Sequence, residues 1–165
     1  MEGTCFLTTF GPTTISNNLG GVVVAGSTWV AEGDVTISGN SIENLPVSTE
    51  FAGGVTLLNS EWVTYGNVVI SNNIGNQTAG GIGLTNGLWR SLGAVTISNN
   101  KAPQGGGNQR PFTQPIPLTP LFSNSGVYIS QQGVWASQGP VSINGNSAQT
   151  GAGEFPRLSF LIPSN

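Results

Sequence analysis

The chain has 165 residues, of which 7% are charged, with a formal net charge of -3 and no histidine. An ordinary soluble domain carries roughly 25% charged residues. One cysteine (Cys5) and one aspartate (Asp34) exclude a disulfide scaffold and Asp dyads, and the lack of histidine excludes His-based metal sites and Ser-His-Asp triads within this chain. Four cations (Arg90, Lys101, Arg110 and Arg157) argue against nucleic acid and anionic membrane surfaces as partners.

Residues 1–10 show neither the basic start nor the long apolar run of a signal peptide. No stretch approaches the ~18–20 apolar residues of a membrane span, so membrane insertion is not expected. From residue 11 a phrase begins that recurs five times. It reads Gly11-Pro-Thr-Thr-Ile-Ser-Asn-Asn18, Gly33-Asp-Val-Thr-Ile-Ser-Gly-Asn40, Gly66-Asn-Val-Val-Ile-Ser-Asn-Asn73, Gly93-Ala-Val-Thr-Ile-Ser-Asn-Asn100 and Gly139-Pro-Val-Ser-Ile-Asn-Gly-Asn146. Four copies carry a tryptophan four residues before the Gly: Trp29, Trp62, Trp89 and Trp135. Before each tryptophan stands a short apolar stretch, Val22–Ala25, Val55–Leu58, Ile82–Thr85 and Val127–Ser130. The spacing of Ile15, Ile37, Ile70, Ile97 and Ile143 is 22, 33, 27 and 46 residues. A constant phrase with variable insertions is the signature of a solenoid.

Each unit predicts three short strands and no segment has helical periodicity. Three strands per turn, stacked turn on turn, make an all-β parallel β-helix of about four to five turns. Strand parity agrees, because alternate side chains face opposite ways. Val35, Val68, Val95, Val141 and the five isoleucines share the inward parity. A slip of one residue would turn them all outward. The phrase ends in Asn or Gly, the residues that best tolerate positive φ, followed always by Asn. Asn18, Asn40, Asn73, Asn100 and Asn146 therefore predict a stacked amide ladder at a turn, ~4.8 Å per step, rather than a ligand site.

The segments Thr96-Ile-Ser-Asn-Asn-Lys-Ala-Pro-Gln-Gly-Gly-Gly107 and Ser142-Ile-Asn-Gly-Asn-Ser-Ala-Gln-Thr-Gly-Ala-Gly153 resemble the "strand, Asn, small residue, Gly-Gly" phrase of right-handed parallel β-helix proteins of bacterial surfaces. The resemblance is to the polymorphic outer-membrane and autotransporter-passenger adhesin type and covers about residues 11–153. It implies a right-handed coil, which agrees with the crossover rule. Ile-Ser-x-Asn stands here where the outer-membrane family has Phe-x-x-Asn.

Four features are candidates for function. The tryptophan column is either an aromatic strip for sugars or stacked core. The residues two before and two after each tryptophan are small (Ser27, Ser60, Gly87, Gly133; Ala31, Thr64, Ser91, Ser137), which favours core. The outward columns Thr14, Thr36, Thr96 with Ser142, and Ser16, Ser38, Ser71 with Ser98, form an uncharged hydroxyl grid. That grid resembles the Thr-x-Thr face of insect-type ice-binding solenoids; Val69 and Asn144 interrupt it. Glu32 and Asp34 flank Gly33, yet glycosidases need two facing carboxylates and no neighbouring turn repeats this pair. Two insertions break the regularity, at 41–52 and, rich in proline, at 101–125. The second offers Lys101, Arg110 and Phe112 as a contact loop. Asn76-Gln-Thr78 is a glycosylation sequon. The ends show no polar cap, and open strand edges invite pairing with another chain.

These features predict one domain over residues 1–165, a non-enzymatic, extracellular or cell-surface structural or adhesive module. It is expected to need no cofactor or metal. Its partners would be surface glycans or other protein chains, further copies of itself stacked into a filament included; a fragment of a larger surface protein is the other form of this reading. Ice binding through the Thr/Ser face is the alternative, and a polysaccharide lyase or glycosidase-like β-helix the remote one.

Overall fold

Four-residue strands joined by short corners could fold back as hairpins; here each instead turns the corner and pairs in parallel with the matching strand of the next turn. The computed structural model describes residues 5–42, 51–75, 79–102, 122–123, 126–130 and 132–148, and shows this arrangement. Three faces run the length of the coil. The tryptophan sheet stacks Phe6–Thr9, Thr28–Ala31, Glu61–Thr64, Leu88–Ser91 and Val134–Ser137 in parallel. The isoleucine sheet stacks Thr13–Ser16, Val35–Ser38, Val68–Ser71, Val95–Ser98 and Val141–Asn144 in parallel. The valine sheet stacks Val22–Ala25, Val55–Leu58, Ile82–Thr85 and Val127–Ser130. The chain is an all-β parallel β-helix of about five rungs, with no helix among the described residues.

Register follows the repeat phrase. Ile15, Ile37, Ile70, Ile97 and Ile143 are direct partners down one sheet. Trp29, Trp62, Trp89 and Trp135 are direct partners down another, and Leu7 holds that place in the first rung. The interior is a column of Val35, Ile37, Val55, Leu57, Val68 and Ile70 with their equivalents in the fourth rung, Ile82, Leu84, Val95 and Ile97, all fully buried. Each such side chain contributes about 1.5–3 kcal/mol by leaving water.

Close approach of the rungs explains the glycine that opens each phrase. A Cβ on Gly33 would lie 2.5 Å from the carbonyl of Gly11, and one on Gly66 would lie 2.5 Å from that of Gly33. Gly93 over Gly66 and Gly139 over Gly93 are as tight. No side chain fits where backbone rests on backbone.

The insertions at 41–52 and 101–125 leave from one corner, between the recurring Asn and the valine strand. Their ends are more ordered than a loop reading implies. Leu19, Ser41, Ile74 and Lys101 form a row of parallel bridges, and Lys101–Ala102 pairs with Ser147–Ala148. Lys101 is thus a strand residue and not part of a loop, because the ladder of this row extends one step past the Asn turn. Arg110, Phe112, the Asn76 sequon and residues 43–50 lie outside the described residues.

Two expectations are amended. Phe122–Ser123 pairs antiparallel with Val127–Ser130, so a strand from the 101–125 insertion closes the last edge of the valine sheet. An antiparallel strand there interrupts parallel stacking. Thr56, outward by parity, is buried, because Ala52 lies over it and its backbone N–H donates to Thr56 Oγ1 at 2.7 Å.

The glycine column can be checked by a paired substitution. Gly66→Ala is expected to cost about 1–3 kcal/mol or more, from forced separation of two rungs. Gly11→Ala, whose Cβ would meet nothing within 4 Å, is expected to stay within about 0.5 kcal/mol of the parent. Urea midpoints for the two variants decide the matter; equal losses would contradict it.

Candidate functional site

The turn after each isoleucine strand is left-handed at Asn17, Gly39, Asn72, Asn99 and Gly145, with φ of 57°, 66°, 56°, 55° and 61°. This conformation aims the following Asn into the coil. Asn73 is representative. Its backbone N–H and its Nδ2 both donate to Asn100 Oδ1 at 3.0 Å, and Nδ2 donates also to Ile37 O at 3.0 Å. Its own Oδ1 accepts from the Asn40 backbone N–H and Nδ2 at 3.0 and 3.1 Å. Asn18, Asn40, Asn100 and Asn146 repeat the pattern. Asn40, Asn73 and Asn100 are fully buried, and no polar atom of the amide is left to meet a ligand. The column is a fastening between rungs.

The tryptophans face inward. Successive ring centroids lie 4.9, 4.9 and 4.7 Å apart, at interplanar angles of 14°, 14° and 8°. Trp29, Trp62 and Trp89 are 2%, 0% and 0% exposed, so no sugar can lie on these three rings, and Trp135 at the end of the column is half-buried. The small residue two places after each tryptophan has a second use. Thr64 Oγ1 accepts from Trp89 Nε1 at 3.3 Å, and Ser91 Oγ accepts from Trp135 Nε1 at 3.2 Å. Ala31 occupies that place below Trp62 and offers no acceptor, and Trp62 Nε1 has no partner. Below Trp29 stands Thr9, but its Oγ1 and Trp29 Nε1 are both without partners.

The hydroxyl grid lies on the outside of the isoleucine sheet. Thr14 pairs with Thr36, Thr36 with Val69, Val69 with Thr96, and Thr96 with Ser142. Ser16, Ser38, Ser71, Ser98 and Asn144 form the adjacent column. Thr14, Ser142 and Asn144 are exposed and the others half-buried. Asn144 Nδ2 donates to Ser142 Oγ at 3.0 Å.

Glu32 and Asp34 are both exposed, on one corner. Asp34 is not isolated there: its Oδ1 accepts the Asn67 backbone N–H at 2.8 Å, and Asn67 Oδ1 accepts that of Ala94 at 3.1 Å. The neighbouring rung therefore does repeat this position, with an amide, and the repeat serves the backbone. Among the described residues no three Cys, Asp or Glu side chains come together in a group that could hold a metal ion. No helix there is long and apolar enough to cross a membrane.

The feature that the repeat phrase did not expose is a shallow groove of about 390 Å³ at the corner between the valine and tryptophan sheets. This corner also turns left-handed, at Gly26, Asn59 and Asn86, with φ of 58°, 49° and 50°. Here the left-handed residues themselves project outward. Asn86 Nδ2 donates to Asn59 Oδ1 at 3.2 Å, and Asn86 Oδ1 accepts the Gln132 backbone N–H at 3.3 Å. Thr28, Glu61 and Leu88 form the adjoining wall. Glu61 Oε1 lies 3.4 Å from Arg90 Nε, both partly in solvent. The signal was present as Gly26-Ser27, Asn59-Ser60 and Asn86-Gly87, each pair beginning three residues before a tryptophan.

No protein-family model, curated protein or solved structure matches the chain.

Two substitutions test the fastenings. Ala31→Ser supplies the missing acceptor to Trp62 Nε1 and is expected to stabilise by about 1 kcal/mol. Asn73→Ala strips partners from buried groups of Asn40, Ile37 and Asn100 and is expected to cost about 3 kcal/mol or more. Guanidinium unfolding of the purified variants reads both.

Proposed function

We propose that the chain is a non-enzymatic structural or adhesive module that works outside the cell or at its surface. The observation that carries this reading is the fastening of every corner. Buried Asn amides hold one corner, exposed Asn amides the second, and Asp34 and Asn67 the third, all bonding rung to rung. Such a rod is stiff, and its described outer faces carry few charges, with hydroxyl and amide groups in register. The described ends of its insertions lie at one corner of the coil, in the bridge row of Leu19, Ser41, Ile74 and Lys101. The described acids support no catalytic pair: Asp34 serves the backbone of the next rung and Glu61 pairs with Arg90.

Stacking of copies end to end is the less favoured form of this reading. The first rung leaves Phe6 and Leu7 exposed, but the antiparallel strand Phe122–Ser123 blocks parallel pairing on the last edge of the valine sheet. Ice binding is the second reading, favoured by the in-register pairs Thr14–Thr36 and Thr96–Ser142. Against it stand Val69 and Asn144 in the same columns.

Beads coated with the protein are expected to be retained on surfaces bearing proteins or glycans and to show no thermal hysteresis in cooled solution. Hysteresis above the buffer value would establish the ice reading instead. Release of reducing ends or unsaturated product from a glycan panel, lost in Glu32→Gln with Asp34→Asn, would establish an enzyme.

A further inference from the structure

The groove at the valine–tryptophan corner crosses four rungs, from Gly26 through Asn59 and Asn86 to Gln132. Its floor is already satisfied: Gly26 N–H donates to Leu58 O at 2.9 Å, Asn59 N–H to Thr85 O at 3.1 Å, and Leu88 N–H to Ser60 O at 2.9 Å. A peptide that adds as a strand needs free backbone groups to pair with, and this floor provides none in those bonds. What reaches into the groove is side chains: the amides of Asn59 and Asn86, the hydroxyl of Thr28, the carboxylate of Glu61 and the flank of Leu88. Among the described residues, Asn59 Nδ2 and the second lone pair of each amide oxygen have no protein partner.

We propose that this groove binds a neutral glycan chain lying along the coil axis. The proposal rests on the adhesive reading above and names its ligand. Amide and hydroxyl groups that both donate and accept suit sugar hydroxyls, which do the same. The half-buried Leu88 offers an apolar surface to the C–H face of a ring. The wall repeats at the rung spacing, ~4.8 Å, close to the length of one pyranose unit. The Asn59 and Asn86 amides are thus placed to meet successive sugars. Charge selects the neutral class. Glu61 would repel an acidic glycan, and Arg90 is committed to Glu61 at 3.4 Å.

The test uses the whole chain with cello-, xylo-, manno- and chito-oligosaccharides as probes. Binding is read by perturbation of backbone amide resonances at millimolar sugar and by calorimetry. At least one neutral series is expected to shift the amides of residues 59–61 and 86–88. Affinity should rise from the disaccharide to the tetrasaccharide as more rungs are engaged. Asn59→Gly with Asn86→Gly keeps a residue suited to positive φ and removes both amides with their bonds between rungs; it is expected to weaken binding at least about tenfold in a protein that still folds, as the amide dispersion of its other rungs shows. Absence of any shift for all four series, or shifts confined to other faces, overturns the proposal. So does unchanged affinity in the double-glycine variant. Beads retained equally by parent and double-glycine protein would overturn the groove assignment and leave the adhesive module standing. Loss of bead retention on every surface, with oligosaccharide shifts intact at the groove, would overturn the adhesive reading and leave the groove assignment standing.

Discussion

Backbone pairing alone would let these short strands slide; the buried asparagine amides prevent it. Each central amide binds the rung before it twice over, through Oδ1 and through Nδ2, and binds the rung after it through Nδ2 and its own N–H. A slip by one residue would set each buried amide opposite a flanking residue such as Gly39, Ser41, Asn99 or Lys101 instead of its partner, and an unpaired buried amide costs about 1–3 kcal/mol. The interior hydrophobic column could in principle tolerate reshuffling among Val, Ile and Leu. The amide column cannot, so specificity of stacking comes from the polar groups and most of the burial energy from the apolar ones.

The three corners divide the work. Two are short and nearly constant in length, because glycine or a left-handed Asn lets backbone lie directly on backbone. The third, after the buried Asn, takes up nearly all the variation in spacing between repeats. Loop closure grows only slowly in cost with length. An insertion at that corner is therefore tolerated provided its ends rejoin the bridge row at Leu19, Ser41, Ile74 and Lys101. Stability in such a coil is close to a sum over neighbouring rungs.

The repeat phrase made the three faces, their parity and the placement of Asn and Trp legible, since each depends on residues a fixed short distance apart. What stayed hidden depends on pairs from different rungs. Thr64 and Ser91 read as merely small; that they accept indole N–H groups emerges only when Trp89 and Trp135 are set above them. Asp34 read as a lone acid, because its counterpart Asn67 differs in type while doing the same job. Asn59 and Asn86 escaped notice because their corner carries Gly26 in one rung and an extra residue in another. The short strand at Phe122 could not be foreseen inside a proline-rich insertion, where local preference gives no hint of a sheet edge waiting to be filled.

Four nearly parallel indoles at separations of 4.7–4.9 Å also behave as one chromophore. Their excited states are coupled, so ultraviolet absorption and circular dichroism belong to the column and not to single rings. Loss of a terminal rung shortens the column and changes its spectrum in steps. The coil thereby carries a built-in optical gauge of how many of its rungs remain joined.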